Sequence, residues 1–231
     1  PAGDWPLAGF DEDRCPQVYR VHGTADVDRA LNVVLLPDAF AAEDLDDFRC
    51  ASALLTEKLI AMPPFHEYSD GLNVFRVDLA SSSSGVEFPD LCGGVKCHHP
   101  PPVWDDKARQ CADFAARHPE LGETFGRPVL APDRPACMGM DLDARACPMT
   151  AEECQVLWPE GEGLRRLWRV AACAPAFDVV VVVANSGAQA GGGVSDMHPP
   201  LSVTTLNGIG KRRLSRRVIG GSSQNDGHHG E

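Results

Sequence analysis

The chain lacks the features that would place it across a membrane or on nucleic acid. No apolar run approaches the ~20 residues that a helix needs to span a bilayer. The chain has 21 Lys and Arg residues and 33 Asp and Glu residues, so its formal charge is −12. Binding to nucleic-acid phosphates needs clustered positive charge instead. We therefore expect no membrane span and no nucleic-acid partner.

A second absence concerns the cysteines, because none of the nine stands in a Cys-x-x-Cys pair. Without that spacing, nine cysteines in 231 residues indicate disulfides rather than a zinc or redox motif, and disulfides indicate export. The odd number leaves either one free thiol or one partner in further sequence. Most of the pairing is expected among the six cysteines of the central third: Cys92, Cys97, Cys111, Cys137, Cys147 and Cys154.

Hydrophobic periodicity predicts an α/β fold. Residues 33–36 form a short apolar run, and Asp38 after it can cap a following helix by accepting from its free backbone N–H groups. Apolar residues at three- and four-residue steps over 45–59 predict that helix. A second strand is predicted over 72–79, with one face half exposed, and the valine-rich run 177–184 predicts a strand buried on both faces. We expect the three strands in one sheet with the helix packed across it.

The remaining pattern is weaker. Tyr19 and Val21 suggest a short strand within residues 1–30, which resemble a lead-in segment. A helix is predicted over Leu164–Cys173, and another over Trp104–His118. The packing face of the latter is expected to consist of Ala108, Cys111, Ala112 and Ala115.

Five stretches resemble the IgA-peptidase-type zinc metallopeptidases, a secreted bacterial family with a metzincin-like fold. The resemblance covers roughly half of the chain and implies an α/β domain over 31–231 with a mixed, metzincin-like sheet, packed helices and a Cys- and Pro-rich, disulfide-stapled insertion over 81–162. The matching stretches are Leu31-Asn-Val-Val-Leu-Leu-Pro-Asp-Ala-Phe40, Phe65-His-Glu-Tyr-Ser-Asp-Gly-Leu-Asn-Val-Phe-Arg-Val-Asp78, Ser84-Gly-Val86, Asp178-Val-Val-Val-Val-Val-Ala-Asn185 and Gly191-Gly-Gly193.

The zinc motif of that family does not occur in the chain. Its His-Glu-x-x-His helix binds Zn²⁺ through two imidazoles one turn apart, and its Glu activates a metal-bound water. We expect the sequence to end just short of this helix, so that the catalytic residues and the zinc ligands lie beyond Glu231. The alternative is that His228, His229 and Glu231 bind the metal themselves from a loop, although adjacent histidines on a helix point about 100° apart.

The resemblance also implies where substrate binds. The Gly191, Gly192 and Gly193 stretch corresponds to the approach to an edge strand that holds extended substrate. Residues 202–206, which include Val203 and Thr204, are then expected to pair with a peptide backbone. The glycines fit no phosphate-binding pattern, because neither Gly-x-Gly-x-x-Gly nor Gly-x-x-x-x-Gly-Lys occurs there.

Other candidate sites have simpler explanations. Cys92 and Cys97, followed by His98 and His99, have ligand types that Zn²⁺ takes, but the spacing favours a small disulfide loop with exposed histidines. Asp38 and Asp178 stand at ends of predicted strands, where capping explains them better than chemistry does. The basic cluster within 211–217 is expected to be a solvated stretch.

The expected function is that of a secreted zinc endopeptidase, present here as a fragment without its zinc helix, which acts on protein or peptide. The alternative is an extracellular, non-catalytic binding module on a related scaffold. Such a module would act through the Cys-rich insertion and the basic cluster. The sequence carries no signal of oligomeric state.

Overall fold

The computed structural model describes residues 13–92, 95–99, 101, 103–122, 124–129, 135–136, 145–146, 157–158, 161–186, 193–194 and 200–206. Its helices are α1 Leu45–Ile60, α2 Lys107–Arg117 and α3 Gly161–Ala171, with 3-10 turns at Ala42–Asp44, Ser69–Gly71 and Pro119–Leu121. The strands are β1 Asp13–Arg14, β2 Gln17–His22, β3 Leu31–Asp38, β4 Leu72–Asp78, β5 Val86–Cys92, β6 Val95–His99, β7 Arg127–Val129, β8 Pro135–Ala136, β9 Arg145–Ala146, β10 Leu157–Trp158, β11 Val179–Ala184, β12 Gly193–Val194 and β13 Leu201–Thr205.

A seven-stranded mixed sheet in the order β12-β13-β11-β3-β4-β2-β7 forms the centre of the molecule. Its four middle strands, β13, β11, β3 and β4, run parallel, while β12 and β2 run antiparallel to their neighbours at the two sides. Val33 of β3 stands opposite Val74 of β4 and Val179 of β11. The prediction that these three strands share one sheet is confirmed, and the fold is mixed α/β.

Alternate side chains of the central strands face two helical layers. Val34, Leu36 and Val180 belong to a cluster with Leu167 and Val170 of α3 on one face. On the other face, Val33, Leu35 and Val74 pack with Leu55 and Leu59 of α1. Both faces of β3 are therefore covered, as the apolar run over residues 33–36 requires.

Two segments outside the expected core of the sheet also contribute strands to it. Strand β2, which includes the predicted strand around Tyr19, lies in the segment 1–30 and pairs with β4. Strand β7 lies in the segment 81–162 and pairs with β2. Both segments are thus joined to the sheet by backbone hydrogen bonds.

Helix α2 packs with a different face from the one expected. Ala108, Ala112 and Ala115 are exposed, whereas Phe114 is 3% exposed and Cys111 is half-buried. A large aromatic ring gains more from burial than three methyl groups do, and it sets the orientation of the helix. The predicted helix over Leu164–Cys173 agrees with α3, in which Leu167 and Ala171 are buried.

Two disulfides join distant parts of the chain. Cys15 is bonded to Cys173 at the end of α3, and Cys50 of α1 is bonded to Cys111 of α2. Both bonds span long separations, 158 and 61 residues. Cys111 therefore pairs outside the central group in which its partner was expected. The pairing of the other five cysteines, Cys92, Cys97, Cys137, Cys147 and Cys154, lies outside what the structure describes.

The amino ends of the three central strands are tied together by side chains. The Asp178 carboxylate accepts hydrogen bonds from the backbone N–H of Asn32 at 2.8 Å and from its side-chain amide at 3.0 Å. The side-chain Oδ1 of Asn32 in turn accepts a hydrogen bond from the side-chain amide of Asn73 at 3.1 Å. Asp178 directly precedes β11, and Asn32 and Asn73 are the second residues of β3 and β4. The Asp178 carboxylate therefore caps a backbone N–H at the start of β3, in agreement with the capping role expected of it.

A buried charge cluster joins β4 to α1. Arg76 is fully buried, and its Nε donates to Oδ1 of Asp78 at 2.6 Å, while Arg49 of α1 donates to Oδ2 at 2.7 Å. The Tyr19 ring lies 4.6 Å from the Arg76 guanidinium. Burial lowers the pKa of Arg76, and the nearby Asp78 offsets part of that shift. The half-exposed face expected for this strand is wrong at Arg76, because paired charges replace water there.

Replacing Val182 with Asp should prevent folding or lower the free energy of unfolding by several kcal/mol. Val182 is 1% exposed in the cluster under α3, and an unpaired carboxylate there loses its hydration, a large part of the roughly 5–15 kcal/mol that holds a domain. Val181→Asp is the matched control, because Val181 is only half-buried on the other face. Urea titration measures both variants, and equal losses would contradict the deeper burial of the face under α3.

Asp78→Asn should be more damaging than Arg76→Met. The first leaves the Arg76 guanidinium buried without a counter-charge, which costs about 3–5 kcal/mol. The second removes the buried cation and leaves Asp78 paired with Arg49. Chemical denaturation of the two variants gives the order, and a larger loss for Arg76→Met would show that packing rather than charge governs the cluster.

Candidate functional site

The carboxyl end of the parallel strands is the place where this architecture can form a site. Strand β3 has β4 on one side and β11 on the other, and α1 and α3 lie on opposite faces of the sheet. In open α/β sheets, ligands bind at the carboxyl ends of the parallel strands. Asp38 ends β3 at this edge, and Asn185 and Ser186 follow β11.

These polar residues are held in a buried backbone network. Asp38, Asn185 and Ser186 are 4%, 2% and 0% exposed. The backbone N–H of Asn185 donates to the Asp38 carbonyl at 2.9 Å, which extends the ladder between the two strands. The Asn185 side-chain amide points toward Asp44, although the 3.5 Å separation makes this a weak hydrogen bond.

Ala39 makes the turn out of β3 in an unusual conformation. Its φ of 60° lies in the left-handed region, which a residue with a Cβ adopts at a cost of roughly 1–3 kcal/mol. Its backbone N–H donates to the hydroxyl of Ser81 at 2.9 Å, and its carbonyl accepts from Gly85 at 2.9 Å. The loop after β4 therefore fixes this turn, and neither Ala39 nor Ser81 has a sequence signal that would have identified it.

Asp38 is separated from the helix that it was expected to cap. Helix α1 begins at Leu45, and Asp44 occupies its N-cap position without a side-chain capping bond. The turn at Ala39 and the 3-10 turn at Ala42–Asp44 intervene, so Asp38 instead ends β3. The expected capping of α1 by Asp38 is therefore wrong.

Asp44 is the carboxyl group at this edge with a perturbed pKa. Partial burial raises its pKa above the ordinary value of 3.8, and the neighbouring charges of Asp47 and Glu43 raise it further. Lys107 acts in the opposite direction and forms an ion pair with Asp47. Asp44 therefore holds its proton to higher pH than an isolated carboxyl does.

The residues expected at the substrate site lie at the edge of the sheet next to β11. Gly193 is in β12, the outer strand, and Val203 and Thr204 are in β13, which pairs with β11 along its length. Strand β12 pairs outside β13 at Leu201 and Ser202, so β13 is the second strand from this edge. Gly191 and Gly192 lie outside the described residues, as do His228, His229 and Glu231.

The candidate metal cluster around Cys92 and Cys97 lies in a β-hairpin. Strands β5 and β6 pair antiparallel, with Cys97 opposite Phe88 and Cys92 opposite Val95. The side chains there lie outside what the structure describes. Within the described residues, no group of three or more His, Cys, Asp or Glu side chains is placed to hold a metal ion.

Asp44→Asn should become progressively more stabilising, relative to the parent, as pH rises from 3 to 7. Because the pKa of Asp44 is higher in the folded state, its contribution to stability is complete below pH 3.8 and is lost as pH rises through the folded value. An amide does not titrate and avoids that loss. Urea titrations at several pH values measure the difference, with Glu43→Gln as the matched loss of one charge; a pH-independent difference would contradict the assignment.

Comparison with known proteins gives no family for the chain. No protein-family model matches it, and no curated protein matches it. None of the helices in the described ranges is both long and apolar enough to cross a bilayer.

Proposed function

We propose that the chain supplies the sheet and the peptide-binding edge of a secreted zinc endopeptidase of the IgA-peptidase type. The sequence resemblance motivates this proposal. Its structural support is the unit β3-α1-β4, the neighbouring valine strand β11 and the antiparallel strand β12 at the edge. The disulfides agree with an oxidising, extracellular location.

The edge formed by β12 is the observation that carries the proposal. Gly193 and Val194 pair with Ser202 and Leu201, and no described strand lies on the outer side of β12. Backbone N–H and C=O groups on such an edge accept an extended peptide as one more strand. A substrate bound this way is held by its backbone, which suits an enzyme or module that acts on unfolded protein segments.

The described residues do not provide the metal site of such an enzyme. Zinc in a peptidase has three protein ligands and an open position, and the described part of the chain has no matching group. The zinc ligands are expected beyond Glu231, in accordance with the resemblance. No catalytic step is therefore assigned to residues described here, whose role is to bind and orient the peptide.

A non-catalytic extracellular binding module is the second candidate. The two long-range disulfides and the edge strand β12 favour it. Such a module would use the same edge without hydrolysing its ligand. The two candidates differ in whether zinc and cleavage appear in a chain that extends past Glu231.

Extended peptide should protect the β12 edge from hydrogen exchange. With a disordered casein peptide in excess, the amides of Gly193 and Val194 should exchange more slowly, because a new strand occupies the outer hydrogen-bonding groups of β12. Mass spectrometry locates the protection, and the opposite edge at Arg127–Val129 serves as the internal control. Val194→Pro should abolish the effect and Val129→Pro should not. Equal protection at both edges, or at neither, would overturn the assignment of this edge.

The 231-residue chain by itself should neither hydrolyse casein nor retain one equivalent of zinc after dialysis. Without paired helix histidines, at most one or two ligands remain, whereas stable zinc sites use three or four. Metal analysis and a casein assay measure both outcomes. One tightly held zinc per chain would show that the metal site lies within this sequence, and it would support His228, His229 and Glu231 as ligands.

A further inference from the structure

Helices α1 and α2 lie side by side in the same direction and touch along one stripe. From the amino to the carboxyl end, the contacts are the ion pair Asp47–Lys107, the disulfide Cys50–Cys111 and the ion pair Glu57–Arg117. Successive contacts are three to seven residues apart on both helices, as expected for one face of each. The disulfide is the covalent bond within this stripe.

Helix α2 has few other attachments in the described part of the chain. Phe114 is its one buried residue, and it packs with Phe125 at a ring distance of 5.7 Å and within the cluster that contains Phe40 and Phe48. The ion pairs of Lys107 and Arg117 are partly exposed and are therefore weak in water. An isolated helix of 11 residues does not hold its shape in water.

Helix α3, unlike α2, is attached to the sheet by several buried side chains. Leu167, Val170 and Ala171 are each 0% exposed, so α3 remains packed on the sheet through its own apolar face. Its disulfide, Cys15–Cys173, follows the last turn and adds to an attachment that already exists. Helix α2 thus has one buried side chain beside its disulfide, whereas α3 has several.

We propose that Cys50–Cys111 is a redox-sensitive latch whose reduction releases α2 from α1 while the sheet stays folded. A thiolate of a dithiol reductant attacks Sγ of the half-buried Cys111, forms a mixed disulfide and displaces the thiolate of Cys50. The second thiol of the reductant then displaces Cys111 and closes its own disulfide. Two electrons and two protons pass to the protein, and the reductant is oxidised.

Release of α2 uncovers a defined surface. Cys50, Ala53 and Leu54 of α1 are at most 7% exposed, and they belong to the same cluster as Phe114. Lys107 also leaves Asp47, which lies one turn from Asp44 at the carboxyl end of the sheet. Reduction would therefore expose an apolar helix face and make the adjoining edge more negative. This proposal does not rest on the proposed peptidase function.

The test compares two double variants by hydrogen exchange at neutral pH under oxidising conditions. In C50A/C111A, amides of residues 107–117 should exchange at least ~10-fold faster than in the parent, while β3, β4 and β11 exchange as before. In the matched C15A/C173A variant, residues 107–117 should keep their protection. Unchanged exchange of α2, loss of protection throughout the protein, or equal release by both variants would each overturn the latch.

Reversibility tests the redox part of the proposal. Treating the parent with dithiothreitol should make Cys50 and Cys111 reactive to alkylation, as located by peptide mapping, together with the faster exchange of residues 107–117. Reoxidation should restore both. If Cys50–Cys111 stays intact in reductant while the sheet remains folded, or if its reduction leaves α2 protected, the proposal is wrong.

Discussion

The burial of β3 on both faces is the constraint from which the rest of the structure follows. A strand without a polar face needs a neighbouring strand on each side and a layer of side chains above and below. Strands β4 and β11 provide the neighbours, and helices α1 and α3 provide the layers. The meeting of Asp38 and Asn185 at the carboxyl ends of β3 and β11, where a backbone hydrogen bond joins them, is a consequence of that arrangement.

Polar groups set the register of this apolar centre. Valines can slide past one another at little cost, whereas the Asn32–Asp178 and Asn32–Asn73 hydrogen bonds form in one alignment of the three strands. The Arg76–Asp78–Arg49 cluster fixes α1 against β4 in a similar way. Buried ion pairs add little net stability but are strongly disfavoured when one partner is missing, so they select the arrangement more than they strengthen it.

The predictable part of the fold is the part dictated by local pattern. Five valines in succession leave no polar face, so the strand 179–184 could be identified from sequence, as could the helix after β3. The strand's expected burial on both faces is met on only one of them, because Val179 and Val181 are half-buried. The packing face of α2 could not, because it is set by Phe114 and by a disulfide partner 61 residues away. Arg76 was expected at a half-exposed face for the same reason, since Arg49 and Tyr19 reach it only in the folded chain. At the candidate site, strand ends could be located, but the strained turn at Ala39 and its contact with Ser81 depend on tertiary structure.

The position of β11 beside β3 has a consequence for biosynthesis. Asn32 and Asp178 are 146 residues apart, so at about 5–20 residues per second a ribosome needs roughly 7–30 s to make the chain between them. During that interval the helix-linked pair β3 and β4 can form, but the other side of β3 presents an unpaired apolar edge. Such an edge is a template for association with other chains. The nascent protein can therefore aggregate through this edge until β11 emerges from the ribosome and pairs with β3.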